Sequence, residues 1–174
     1  MEMLCTLRST TESQRQALHK TPEALEPFLE DEEDFGDAKG AAFLELDIGE
    51  AWHGLQYLLT GTAWEGAPPL DFLVRGGEDV GDIPSDEGTA RVFDTASVKA
   101  LAEALKKVSV EDLRKRFDPA KLQAEDIYPG TWDEEEELEE DVDPLEELLS
   151  YFEELQKFMA AVAKRGLCLL VHIG

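Results

Sequence analysis

Lys164-Arg165-Gly166-Leu167-Cys168-Leu169-Leu170-Val171-His172-Ile173 decides the fold, because a basic helix end gives way there to an unbroken apolar run. Upstream, Leu145, Leu148, Leu149, Phe152, Leu155, Phe158, Met159 and Val162 recur at helical spacing and predict a long helix. Asp143 is its N-cap, Pro144 takes its first position, and Glu146 and Glu147 meet the positive end of the helix dipole. Lys164 and Arg165 suit the negative end, and Gly166 stops the helix. Downstream, Leu167 to Ile173 lacks the polar alternation of a half-buried strand, so it reads as a strand covered on both faces.

Working outward, the N-terminus supplies a second strand. Met1, Met3, Cys5 and Leu7 alternate over Met1 to Leu7. Thr10 to His19 and Pro22 to Glu30 read as short helices, the second opened by Thr21 and Pro22, and Asp31 to Gly40 as an acidic loop. Phe43, Leu44 and Leu46 lead into a helix near Gly49 to Leu59, on which Ala51, Trp52, Leu55, Leu58 and Leu59 form the buried stripe. His53, Tyr57 and Thr60 fall on a neighbouring line, and Gly61 ends the helix. Leu70 to Val74 reads as one more helical turn, stopped by Gly76-Gly77.

In the second half, Ala90 to Phe93 is a short strand. Thr95 caps a helix carrying Val98, Leu101, Leu105 and Val108. Ser109-Val110-Glu111-Asp112 resembles a capping box and starts a short helix, and Asp118-Pro119 starts another turn with Leu122. Strands at both ends with helices between them predict an α+β fold. It is a single compact domain over residues 1–174, a mainly helical body packed on a small sheet that includes the N- and C-terminal strands.

Composition narrows the functional classes. A hydrophobic share of 43% is enough for a real core despite the heavy charge. Met1-Glu2-Met3-Leu4-Cys5 runs at once into polar residues and does not read as a leader. No apolar run approaches the ~18 residues of a membrane span. The two cysteines, Cys5 and Cys168, form no CxxC pair, so neither a zinc site nor a redox motif is indicated. The expectation is a cytoplasmic protein.

Forty acids against sixteen bases give a net charge of −24, which argues against nucleic acid or an anionic membrane as partner. Thirteen acids and no Lys or Arg lie between Asp133 and Glu154, and five acids follow one another from Glu30 to Asp34. Such runs serve solubility as solvated loops, or they form an acidic surface for a basic partner or a mimic of a phosphate backbone.

Five ordered pieces then carry a resemblance. They are Ala51-Trp52-His53-Gly54-Leu55 with Leu58-Leu59-Thr60-Gly61; Gly76-Gly77-Glu78 with Val80-Gly81; Arg116-Phe117-Asp118; Ile127-Tyr128-Pro129; and Trp132. Together they resemble the YfbM-like family, a bacterial group labelled a domain of unknown function. The likeness covers nearly the whole chain and is weakest from Thr10 to Gly40. It implies a compact α+β domain with a mainly helical body and a small sheet, and it carries no established catalytic residue. Members often have Asp-Lys where this chain has Gly49-Glu50, and a second His where Gln56 stands, so essential chemistry is not assigned to those groups.

The candidate ligand- or partner-binding residues are Trp52, His53, Tyr57, Trp64, Tyr128 and Trp132. His53 and Tyr57 stand one helical turn apart, and such a pair serves acid–base chemistry or grips a ligand. Alternatively, His53 lines a helix face with its ring packed by aromatics. Tyr128 and Trp132 flank a Pro-Gly turn, where they rim a pocket or interface or plug the core edge. His172 reads as a hydrogen-bonded core histidine, and Cys5 and Cys168 as small buried hydrophobes. His19 has no spacing that suggests a metal triad. No catalytic residue, metal or cofactor is assigned.

Several apparent motifs carry nothing. Arg75-Gly76-Gly77-Glu78-Asp79 resembles a nucleotide-cyclase signature, but its flanks do not read as the required hairpin. A P-loop, a nucleophile elbow and a calcium loop are absent. With forty carboxylates a close pair is expected by chance and implies no catalysis. Two functional readings remain. One is an acidic bacterial binding protein that docks a basic protein partner, as an immunity protein docks a toxin. The other is a small-molecule-binding domain or enzyme with a pocket near His53, Tyr57 and Trp64.

Overall fold

The computed structural model describes residues 4–21, 44–63, 65–66, 70–80, 89–127 and 144–174. The apolar run after Gly166 forms β5 (Cys168–Ile173), the middle strand of a five-stranded sheet. Its neighbours are β1 (Cys5–Thr10) and β4 (Thr89–Phe93); β2 (Glu45–Gly49) and β3 (Glu78–Asp79) form the edges. Spatial order is β2-β1-β5-β4-β3, with antiparallel pairing throughout. Leu7 pairs with Val171 and Val171 with Arg91, so β5 is hydrogen-bonded along both sides.

Both faces of β5 are covered, which explains its continuous apolarity. Cys5, Leu7, Leu169, Val171, Ile173 and Phe93 share one face and belong to the main core cluster. Cys168, Leu170 and Val92 point the other way and are equally buried. On that second side lies α1 (Glu12–Lys20), whose Leu18 is buried and whose Glu12 accepts a hydrogen bond from the Cys168 thiol at 3.3 Å.

The main helical layer contains α2 (Trp52–Thr60), α3 (Thr95–Lys107), α4 (Val110–Arg116), α5 (Pro119–Ala124) and α6 (Pro144–Lys164). Leu148, Leu149, Phe152, Leu155, Phe158, Met159 and Val162 of α6 are all buried, as their spacing predicts. Gln156 of α6 donates to the Leu105 carbonyl at 2.7 Å and so ties α6 to the end of α3. Gly166 ends α6 with a φ of +66°.

Local chemistry moves several boundaries. β1 runs from Cys5 to Thr10, beyond the alternating apolar residues, because Ser9 and Thr10 pair with Leu169 and Cys168. α1 starts after Thr11, which forms a reciprocal capping box with Gln14. Asp94, not Thr95, caps α3, accepting from the Ser97 N–H at 2.8 Å. Glu45 to Gly49 is an edge strand, so α2 begins only at Trp52. Ser109 and Asp118 cap α4 and α5 as expected. The expected helix over 22–30, the acidic loop, and the runs 1–3 and 133–143 lie outside the described residues.

Gly76 and Gly77 turn the chain into β3 with φ values of +85° and +70°. A Cβ on Gly77 would stand 2.7 Å from the Val92 carbonyl oxygen, which is fixed by the sheet. Gly166 also has positive φ, but a Cβ there meets nothing within 4 Å. We expect Gly77→Ala to lower unfolding free energy by about 3 kcal/mol, combining backbone strain with the clash. Gly166→Ala should cost about 1 kcal/mol for backbone strain alone. Urea unfolding of both variants checks this, and equal losses would refute the close-approach argument.

Candidate functional site

Helix α2 is buried almost all round. Every residue from Trp52 to Leu59 is inside, including His53 at 1% exposure and Gln56 at 0%. The line of His53 and Tyr57 expected beside the apolar stripe is therefore part of the interior. Trp52 and His53 stack, with ring centroids 4.7 Å apart and planes 11° from parallel. Tyr57 lies one turn further along the same helix and is 9% exposed. Trp64, Tyr128 and Trp132 lie outside the described residues.

The polar side chains of α2 hold the loop that follows it. Gly61 ends the helix at a φ of +79°, and its N–H donates to the Tyr57 carbonyl at 2.6 Å. The chain then folds back over the helix. His53 Nε2–H donates to the Ala63 carbonyl at 3.1 Å, and Gln56 Nε2 donates to the Glu65 carbonyl at 2.8 Å. Thr60 Oγ1 donates to the Gln56 carbonyl and accepts from the Thr62 N–H at 3.2 Å. Gly66 closes the loop so tightly that a Cβ there would come within 2.7 Å of the Thr60 side chain.

A carbonyl only accepts, so the contact with Ala63 fixes the proton of His53 on Nε2. Burial lowers the His53 pKa from 6.5 to about 4, with the Ala63 carbonyl pulling the other way. At neutral pH the ring is an uncharged donor holding a loop.

Arginines secure two further corners. Arg116, at the end of α4, donates to the carbonyls of Leu58 and Leu59 at 2.7 and 2.9 Å, capping the end of α2. Arg91, in the middle of β4, is 5% exposed. Its guanidinium donates to the Leu73 carbonyl at 2.5 Å and the Gly76 carbonyl at 3.2 Å, and lies 5.8 Å from the Phe93 ring centre. Burial lowers its pKa to about 10, still well above neutrality.

The thiols are inert by environment. Burial pushes Cys5 far up, and burial with the Glu12 carboxylate pushes Cys168 up to about 11. His172 is half-buried, and burial lowers its pKa. Among the described residues no three His, Cys, Asp or Glu side chains gather as metal ligands do, and no helix is long and apolar enough to cross a membrane.

Two cavities stand out, and neither is lined by His53 or Tyr57. One is an open groove of about 600 Å³ between α3 and α6, with Lys106, Lys157 and Lys164 along it. The other, of about 190 Å³, lies between the turn at Leu70–Val74 and α3. On the outer surface, half-buried Tyr151 of α6 sits among carboxylates. Its hydroxyl pKa is raised by burial and then by the charges of Glu147, Asp47 and Glu154. Asp47 comes from β2 and the glutamates from α6, so fold contacts build this acidic face from distant segments. Sequence periodicity marked these residues only as polar positions.

A family model described as a domain of unknown function, DUF1877, matches residues 1–172. The chain belongs to the DUF1877 family. The crystal structure of a protein of unknown function, YfbM from Escherichia coli, superposes with a TM-score of 0.72 at 20% identity. The match covers 98% of this chain and 99% of that one, and at this identity it shows a shared fold. No curated protein matches the chain. The α+β reading and the YfbM-like resemblance both hold. Among the residues that carry the resemblance, His53, Thr60, Gly61, Gly77 and Arg116 make loop, turn and cap contacts of the fold.

A folded-state pKa of about 4 for His53 against 6.5 unfolded means that the folded state disfavours the proton. The stability contributed by neutral His53 is complete above pH 6.5 and falls as pH drops from 6.5 towards 4, by an amount on the order of 3 kcal/mol. His53→Gln keeps an N–H for Ala63 and does not titrate. The stability gap between wild type and this variant should shrink with falling pH in that window. Urea titrations at several pH values test it; a constant gap contradicts a buried neutral His53.

Proposed function

We propose that this protein is a non-enzymatic binding protein of the bacterial cytoplasm, acting as one domain over residues 1–174. It docks a basic protein partner through the acidic face where β2 meets α6. The observation that carries this reading is the meeting of β2 and α6, where the charges of Glu147, Asp47 and Glu154 act on half-buried Tyr151 in a chain of net charge −24. Glu45 and Glu146 are engaged by Arg8 and Arg114 at 3.2 and 2.7 Å, whereas Asp47, Glu147 and Glu154 form no ion pair among the described residues. Those exposed carboxylates favour a basic surface by steering at long range and by charge-assisted hydrogen bonds on contact. Half-buried Tyr151, packed against the core, adds rigid amphipathic area of the kind enriched at interface anchors.

The second reading, a small-molecule-binding domain or enzyme near His53, Tyr57 and Trp64, meets a physical obstacle. Trp52 and His53 are each 1% exposed, so a ligand reaches them only if the loop after Gly61 lifts. The hydrogen bonds from His53, Gln56 and Thr60 oppose that motion.

Affinity capture from bacterial lysate at low salt and at about 150 mM salt tests the docking reading, since screening removes weak surface attraction. The comparison is a triple variant, Asp47→Asn, Glu147→Gln, Glu154→Gln, which keeps side-chain size and relieves like-charge repulsion. Wild type should retain a specific basic protein at the higher salt, with the variant recovering at least tenfold less. Capture of many basic proteins at low salt only, or equal capture by the variant, would refute it.

A further inference from the structure

The outward side of α6 carries an ordered line of residues. Glu146, Ser150, Glu153, Lys157, Ala160 and Lys164 follow one another at spacings of four and three, and all six are exposed. Such spacing keeps them on one face of the helix over about 27 Å. The line reads acid, small, acid, base, small, base. Turned end for end, every acid falls on a base and each small residue on a small one. The helix as a whole is divided in the same way: Pro144 to Leu155 holds four glutamates and no base, and Gln156 to Lys164 holds two lysines and no acid. The helix dipole accounts for Glu146 and Lys164 at the two ends, but it does not reach Glu153 and Lys157 in the middle.

The basic half of the line borders the open groove of about 600 Å³ between α6 and α3. Ala102 and Ala163 keep that groove wide, and Lys106 adds a third cation from α3, with Glu103 beside it. Lys106, Lys157, Lys164 and Glu153 form no ion pair among the described residues, whereas Glu146 is held by Arg114 at 2.7 Å. Three lysines therefore stand together without a carboxylate of their own, on a chain with forty acids.

We propose that α6 pairs with the α6 of a second copy of this chain, antiparallel about a two-fold axis level with Leu155. The acidic half of each helix then lies along the basic groove of the other. A two-fold interface has to be self-complementary, and this line meets that condition residue by residue. Glu146 faces Lys164 of the second copy, Glu153 faces Lys157, and Ser150 faces Ala160, each contact occurring twice. The small residues between the charged pairs let the helix axes approach closely. Parallel pairing would set every acid against its own copy, so the charges also fix the direction. Glu147, Tyr151 and Glu154 lie round the other flank of α6, towards β2, so the pairing does not rest on the docking reading.

Sedimentation equilibrium of the purified chain, at up to about 500 µM, spans the affinities expected of a few exposed ion pairs. Salt at about 150 mM screens the repulsion between two acidic chains beyond roughly 8 Å while sparing groups in contact. Wild type should dimerise. Lys157→Glu with Lys164→Glu makes the line wholly acidic, and Glu146→Lys with Glu153→Lys makes it wholly basic. Each double variant alone should bind itself at least tenfold more weakly, and an equimolar mixture of the two should recover a dimer, since all four pairs are then restored. Every changed position is exposed, and circular dichroism checks that the fold is kept. Oxidation fixes the register: Ser150→Cys mixed with Ala160→Cys should cross-link, while neither should cross-link to itself across an offset of about 15 Å. A monomeric wild type, a dimer that both double variants retain, a mixture that stays monomeric, or cross-linking of Ser150→Cys to itself would each overturn the proposal.

Discussion

The two-sided pairing of β5 is the constraint from which the rest follows. A strand flanked by β1 and β4 has no free backbone edge, and helices on both faces leave no room for polar side chains along Cys168–Val171. Its first face then requires the long apolar stripe of α6 and the shorter one of α3. Its second face accepts Cys168, Leu170 and Val92 and places Glu12 of α1 against the Cys168 thiol. Arg91, paired with Val171, is drawn into this interior with its charge and finds two carbonyls of the adjoining turn. A guanidinium can satisfy several acceptors from one rigid fork, so it holds both Leu73 and Gly76 in place.

The polar residues inside the molecule act mainly at chain ends and bends. His53, Gln56 and Thr60 secure the loop after α2, Arg116 secures the carbonyls that α2 leaves open, and Gln156 does the same for α3. Each such bond is worth only about 1 kcal/mol net, somewhat more where charge is involved. Leaving the buried groups unpaired would cost more than the bonds contribute. These polar side chains are therefore engaged in holding loops and helix ends.

How far the sequence could be read depended on whether a structural feature was local. α6, β5, α4 and α5 announce themselves through apolar spacing and through capping residues a few positions away. β2 was harder, because an edge strand with exposed Glu45 and Asp47 carries only Leu46 and Ile48 on its inner side. The burial of His53 and Gln56 was invisible for another reason. Their acceptors are backbone carbonyls of Ala63 and Glu65, which have no sequence identity to recognise. The acidic face around Tyr151 joins β2 to α6, and the smaller cavity joins the turn at Leu70–Val74 to α3. Neither assembly exists until the sheet has brought those segments together.

Leu4 and Gly174 exchange a pair of backbone hydrogen bonds, so the middle of the sheet is closed by segments from opposite ends of the chain. Pairing across so much intervening sequence has a high loop-closure entropy and tends to be slow. During synthesis β1 and β4 emerge well before β5, leaving a vacant slot with unpaired backbone on each side. Until the last strand arrives, that slot is the part of the molecule most open to foreign strands, and the chain's strong mutual charge repulsion is its protection against self-association.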